Sequence, residues 1–388
     1  MRRLVLLAAA LSLTIVACSG TTTAPKATGG GETATATAKS RLTTIKERGK
    51  LICGVEGTIP GFSFVDPSGK YSGLDVDVCR AVAAAVFGTS DNIDSKIEYR
   101  NLDSTARFPA LQNGEVDMLS RNTTWTISRD AAGGNGLEFA PTTFYDGQGV
   151  MVSKASGIKK FADLKGKSVC VETGTTTELN LASRAKEAGI TINEVKFQDS
   201  NAAAAAYTEG RCEGFTSDRS QLAAKRTGLP KPEDNILLDE VLSKEPLGPV
   251  TVNNDSAWFD VVKWVTFGLF QAEEFGITKA NVDAKLKDPS PDIQNFLGVQ
   301  GELGQQLGLS KDFMVHAIKA TGNYGEIFER NVGANSPLKI DWGLNKLWSK
   351  GGLVYSPPSV KPELIKIPPT YGQSYRSALA MGRSIISW

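Results

Sequence analysis

The stretch Leu119 to Asp130, LSRNTTWTISRD, gathers groups suited to holding an anion. Arg129 brings a planar guanidinium whose fork of donors matches a carboxylate in paired hydrogen bonds. Asn122 and Thr124, a few residues ahead of it, add an amide and a hydroxyl that would complete a cradle. Taken alone, such a segment is more often a solvated arginine behind a Ser/Thr-rich turn. A second anion site is offered by Val171 to Thr177, VETGTTT, where threonines open a helix. Free N–H groups and the positive end of the helix dipole favour an anion there. The plainer alternative is an N-cap made by Thr175 or Thr176. Asp218, in Thr216-Ser217-Asp218, would pair with an ammonium or else cap the following helix. A cation and an anion in separate segments, each just past a strand, fit a zwitterion such as a free α-amino acid.

These groups need a scaffold that brings them together. From Lys50 the chain alternates short apolar strands with helical stretches: strand Leu51 to Val55, helix Leu74 to Phe87, strand Lys96 to Tyr99, helix Ser104 to Gln112, strand Val116 to Leu119. The rhythm returns from Lys167: strand to Val171, helix Thr176 to Ala188, strand Glu194 to Gln198, helix Asn201 to Thr208, strand Cys212 to Phe215, helix Arg219 to Thr227. Repeated βα units imply an α/β fold with parallel sheets flanked by helices. Two similar lobes account for the repeat more simply than one large sheet. In open sheets of this kind ligands sit beyond the carboxyl ends of the strands, where the candidate segments fall.

Composition narrows the function. With 43 Lys and Arg against 42 Asp and Glu, the net charge is +1, and no basic stripe points to nucleic acid. The N-terminus has a charged start, an apolar run from Leu4 to Val16 and then Cys18. This is signal-peptide length, too short to span a bilayer, and the residues before Cys18 resemble a lipobox, in which the cysteine is lipidated. Residues 1–17 are therefore expected to be a signal peptide. Residues 18–40, rich in Thr, Ala, Gly and Ser, are expected to be a lipid-anchored flexible linker. Four further cysteines allow three pairings. Cys53–Cys79 and Cys170–Cys212 are favoured because each closes a loop within one lobe; four buried free thiols are the alternative. No CxxC spacing exists and there is one histidine, so no metal site is expected.

Several separated motifs, in order, resemble the polar amino-acid substrate-binding proteins of ABC importers, the bacterial solute-binding protein family 3. They are Gly73-Leu74-Asp75-Val76-Asp77-Val78, Arg107 to Asp117, the run on to Arg129, Gly174 to Glu178, and Lys244 to Pro249. SRNTTWTISRD and LNKLWSKGGL are similar to the general L-amino-acid-binding subgroup. The resemblance implies a type II periplasmic binding protein, two lobes joined by two hinge strands near Asp146–Gly149 and Leu247–Val250. Lobe 1 would comprise residues 41–147 and the return 250–359, and lobe 2 residues 148–249. The tail 360–388 extends past the family's usual end and is unassigned.

By the same resemblance Arg129 would bind the ligand carboxylate, assisted by Thr124, Asn122, Thr176 and Thr175. Asp218, with Asn122, would take the ammonium, and Glu56, Phe62 and Arg107 would wall the pocket. No cofactor is implied. The implied partners are a free amino acid and an ABC permease with its ATPase. The protein would act as a monomer in the periplasm or at the cell surface, held to the membrane by its lipid. Two other readings are an enzyme on the same scaffold, such as a dehydratase or a cell-wall lytic enzyme, and a ligand-delivering sensory partner. Glu56, Glu172 and Glu178 are the carboxylates on which an enzyme would draw, but His316 lies in an apolar helical stretch, and no nucleophile–base set is evident.

Overall fold

A computed structural model describes residues 39–359. The expected signal peptide, Cys18, most of the linker and the C-terminal tail lie outside the described residues.

The apolar strands form two open sheets. In the first, the spatial order is Ile97–Asn101, Leu51–Val55, Met118–Leu119, Val250–Val252, Leu137–Phe139. Its first three strands run parallel, and Val250–Val252 is antiparallel to both of its neighbours. In the second, the order is Asn193–Phe197, Ser168–Glu172, Gly214–Asp218, Phe144–Ser153, Asn235–Leu237. Again the three strands of the repeated unit are parallel. The expected helices occur at Leu74–Phe87, Arg107–Gln112, Thr176–Glu187, Ser200–Thr208 and Arg219–Thr227.

The lobes are joined by a pair of long-range crossings. Strand Phe144–Ser153 leaves lobe 1, and its start pairs antiparallel with Lys244–Leu247, in the register Lys244 with Gly147 and Leu247 with Phe144. Its continuation enters the lobe 2 sheet beside Gly214–Asp218. The chain then returns through Lys244–Leu247 to Val250–Val252 in lobe 1. This pairing sits slightly earlier in the chain than the sequence suggested. Asn345, buried near the end of the described chain, braces the crossing: Tyr145 N–H donates to its Oδ1 at 2.7 Å, and its Nδ2 donates to the Tyr145 carbonyl at 3.2 Å.

Both ends of the described chain build lobe 1. The 19-residue helix Ser256–Glu274 buries Trp258, Val262, Val265 and Leu269 in the same core as Leu51, Val78 and Val82. Lobe 2 has its own apolar clusters around Val150, Val169 and Leu181 and around Met151, Ala203 and Phe215. Each lobe carries one disulfide, Cys53–Cys79 and Cys170–Cys212, as favoured from sequence. His316 lies on helix Phe313–Thr321 in lobe 1 and pairs with Asp312 at 3.2 Å.

The small antiparallel sheet Thr58–Ile59, Ser63–Val65, Tyr71–Ser72 was not evident from sequence, because strands this short carry no period. It ends at Gly73, whose φ of +128° and approach to the Phe62 carbonyl leave no room for a side chain. The turn leads into helix Leu74–Phe87, and Ile59, on the first strand of this sheet, lines the interlobe cavity described below.

Candidate functional site

The strand ends of the two lobes face one another across a narrow cavity. Lobe 1 contributes Ile59, Ser104, Arg107, Arg121, Asn122 and Thr124. Lobe 2 contributes Glu172, the helix start Thr175 to Thr177, Ser217, Asp218 and Gln221. A wider pocket between Trp264, Phe296 and Phe313 has no charged group in its lining, whereas the interlobe cavity gathers charged groups of both signs from two lobes.

Three guanidiniums converge from lobe 1, none more than 7% exposed. Arg107 Nη2 donates to the Gly174 carbonyl of lobe 2 at 3.4 Å, and its Nε has no partner. Arg121 Nη1 donates to Ser104 Oγ at 3.3 Å, and its Nε is also unpaired. Arg129 approaches the cavity from behind Thr124, one of its lining residues. Its Nη1 donates to the Thr124 carbonyl at 2.8 Å, just behind the lining, and it lies 5.3 Å from the centre of the Phe108 ring. The rest of its guanidinium has no partner among the described residues. Burial, and mutual repulsion with Arg121 and Arg129, hold Arg107 well below the ordinary arginine range. Burial brings Arg129 down to about 10.

Opposite them, Asp218 is buried at the end of its strand, and its carboxylate accepts no hydrogen bond among the described residues. Burial first, then the nearby Asp146 and Glu245, push it well above the usual carboxylate range. Glu172 is buried at the end of the neighbouring strand. None of Arg107, Arg121, Arg129, Glu172 or Asp218 forms an ion pair among the described residues. Buried charges without partners are costly. Here both signs face one cavity, so a molecule carrying both would relieve both.

Asn122 is shaped for the same purpose. Its backbone is left-handed, with φ +47°, and its N–H is held by Asp75 at 3.1 Å. Both polar atoms of its side chain are buried without partners. Burial raises Asp75 to about 6, against the hydrogen bonds from Ser120 and Asn122 and the charge of Arg121.

The threonines divide by role. Thr175 caps its helix, accepting from Glu178 N at 3.0 Å and donating to the Glu172 carbonyl at 2.7 Å. The plainer reading of its side chain therefore describes it better than an anion ligand. Thr124 and Thr176 reach the cavity, but both hydroxyls donate to Glu245 on the crossing strand. Glu56 lies outside the lining and links the lobes instead, accepting from Thr58 N at 2.5 Å and from Ser200 Oγ of lobe 2 at 3.1 Å. Phe62 is displaced from the expected wall. Its ring packs edge-on against Phe144 at 5.1 Å in the lobe 1 core, and Ile59 takes the lining position.

Further ties hold the lobes closed. Lys225 Nζ donates to the Thr58 carbonyl at 3.0 Å, and Gln198 Nε2 donates to Thr105 Oγ1 at 2.7 Å. Gly174, with φ +73°, lets the lobe 2 loop approach Ser104 and Thr105, where a Cβ would lie 2.9 Å from Thr105 Cγ2.

Sequence reasoning missed Arg121, Glu245, Ser217 and Gln221. Arg121 stood in the segment already singled out, adjacent to Asn122, and its residue type was the available signal. Glu245 had no local signal, because its role depends on which strand crosses between the lobes.

Two lobes on paired crossing strands, closing over buried charges of both signs, define a ligand-capturing binding protein. The chain belongs to the bacterial extracellular solute-binding proteins, family 3, whose model matches residues 51–334. It is 49% identical, over 84% of its length and 94% of the relative's, to the general L-amino acid-binding periplasmic protein of Rhizobium johnstonii. It is 44% identical, over 83% of its length and 94% of the relative's, to a glutamate/glutamine/aspartate/asparagine-binding protein of Rhodobacter capsulatus. Among solved structures, a periplasmic binding protein of an ABC transporter from Brucella ovis, with glutathione bound, is similar at TM-score 0.80 and 47% identity. That likeness covers 83% of this chain and all of that one. These relatives are named as solute-binding proteins rather than enzymes.

Proposed function

We propose that this protein is an extracytoplasmic receptor that captures free L-amino acids between its lobes and delivers them to an ABC permease. The observation that carries this reading is the set of buried, unpaired arginines of lobe 1 facing buried, unpaired Asp218 across one cavity. An α-amino acid supplies a carboxylate for the first and an ammonium for the second. The two relatives above are named for amino acids, and glutathione too ends in such a zwitterion. In this assignment the free edge of Arg129, Asn122 and the N–H groups at the helix start hold the α-carboxylate. Asp218 holds the ammonium. Arg107 and Arg121 receive the polar end of the side chain, which favours acidic and amide side chains within a broad range.

Delivery follows from the hinge. Ligand favours the closed arrangement, and the permease would read that shape. Lipidation at Cys18 would keep the receptor at the membrane. Thermal-shift screening of all common L-amino acids tests the reading. Stabilisation by several polar and acidic amino acids is expected, and stabilisation by none would overturn it. Cys18→Ser should release the protein from the membrane fraction, whereas retention there would overturn the lipid anchor.

A further inference from the structure

The uncharged cavity of lobe 1 shares no residue with the interlobe site. It measures about 150 Å³ and is walled by helices of the returning chain. Trp264 comes from Ser256–Glu274, Phe296 from Pro291–Phe296, Leu303 from Leu303–Gln306, and Met314 from Phe313–Thr321. Phe296 and Met314 are buried, whereas Trp264 and Leu303 are partly exposed and form the rim. An apolar cavity of this size holds a group as large as benzene. Gln271 lies among these walls at 7% exposure, and its amide has no hydrogen-bond partner among the described residues. A buried amide left unpaired costs free energy. An occupant suited to both features brings an apolar side chain to the walls and a peptide group to Gln271.

Ser356 and Ser359 complete the lining, and Ser359 is the last described residue. The chain continues from there to Trp388, and Leu364, Ile365 and Ile367 follow closely. An extended chain covers at most about 3.6 Å per residue, so Leu364 comes within about 18 Å of Ser359. Pro362, Pro368 and Pro369 bias this stretch toward extended backbone, whose N–H and C=O groups lack internal partners. Aromatic-lined grooves take such segments. We propose that the lobe 1 cavity is the docking site of the chain's own C-terminal tail. Residues 364–367 seat their apolar side chains against Trp264 and Leu303, and a peptide group pairs with Gln271. The tail that runs past the family's usual end then closes an apolar opening on lobe 1 without touching the interlobe cavity.

Trypsin tests this, because Lys366 lies inside the docking stretch. The full chain is digested beside a synthetic peptide of residues 360–388, and cleavage after Lys366 is timed in both by mass spectrometry. Proteolysis follows the population of the released form, so docking should slow that cleavage about tenfold or more relative to the peptide. Leu303→Asp puts a charge into the rim and should bring the rate in the full chain back close to the peptide's. Ile365→Asp, made in the tail itself, gives a second route should the first variant fold poorly. Judged against a peptide with the same change, it should also lose the protection. Equal rates in wild-type chain and peptide would overturn the proposal, and so would protection that survives in either folded variant. Protection that grows with protein concentration would put the tail of a second copy in the cavity, and would overturn it too.

Discussion

At the residue scale, the site is made of charges that the protein buries without pairing. Arg129→Ala should weaken every amino acid tested by about 2–5 kcal/mol, because the α-carboxylate is common to all of them. Arg107→Ala should instead penalise acidic side chains more than small ones. Calorimetry across a panel separates the two patterns, and a uniform loss from Arg107→Ala would contradict its place at the side-chain end. Asp218 makes binding depend on pH. In the free protein its carboxyl holds a proton to well above the usual carboxylate range, through burial and the neighbouring Asp146 and Glu245. An ammonium favours the ionised form, so binding expels that proton. Affinity should therefore fall as pH drops below the raised value of the free protein, by up to about tenfold per unit. Asp218→Asn should weaken binding and flatten that slope; a flat wild-type profile would contradict the assignment. Residue types were legible from the sequence here, but directions were not. Arg129 was found by its type and company, yet its Nη1 is spent on the Thr124 carbonyl. Arg121, next to Asn122, lines the cavity directly.

At the element scale, the repeating βα units were readable because apolar strands and helix stops are local signals. Helix Leu74–Phe87 ends at Gly88 in a left-handed C-cap, the conformation that glycine adopts most readily. The crossing strands were not readable from period. One contains Pro246, and they pair residues about a hundred positions apart, such as Lys244 with Gly147. Only the family resemblance placed a hinge there. The same elements set how firmly the lobes close. Lys225→Met removes hydrogen bonds to the Thr58 carbonyl and hydroxyl across the cleft. It should weaken all ligands alike by about 1–3 kcal/mol, mostly through faster release, which stopped-flow fluorescence would detect. A change confined to one ligand class would place Lys225 in the pocket instead. Within lobe 2, the Cys170–Cys212 loop should contribute about 3–4 kcal/mol of stability in the chain-entropy model. Replacing both cysteines with serine should lower the melting temperature, and an unchanged transition would show that the loop is already ordered in the unfolded chain.

At the scale of the whole molecule, two paired strands are the crossing between lobes that keep separate cores, and on the proposed reading one lobe swings against the other about them. The charges at the cleft make closure without ligand unfavourable, since it buries arginines and Asp218 unpaired. Ligand reverses that balance, and on the proposed reading the closed shape is what the permease would recognise. Small-angle X-ray scattering should show a smaller radius of gyration on adding a bound amino acid, and no change on adding a non-ligand. The central claim is that this cleft is a trap for free amino acids which leaves them chemically unchanged. Isothermal titration against a panel of L-amino acids, followed by mass spectrometry of the recovered ligand, tests it most directly. Binding of several amino acids in the micromolar range or tighter is predicted, about −8 kcal/mol or stronger, with each recovered intact. Heat from none of them, or any conversion of the recovered ligand, would contradict it.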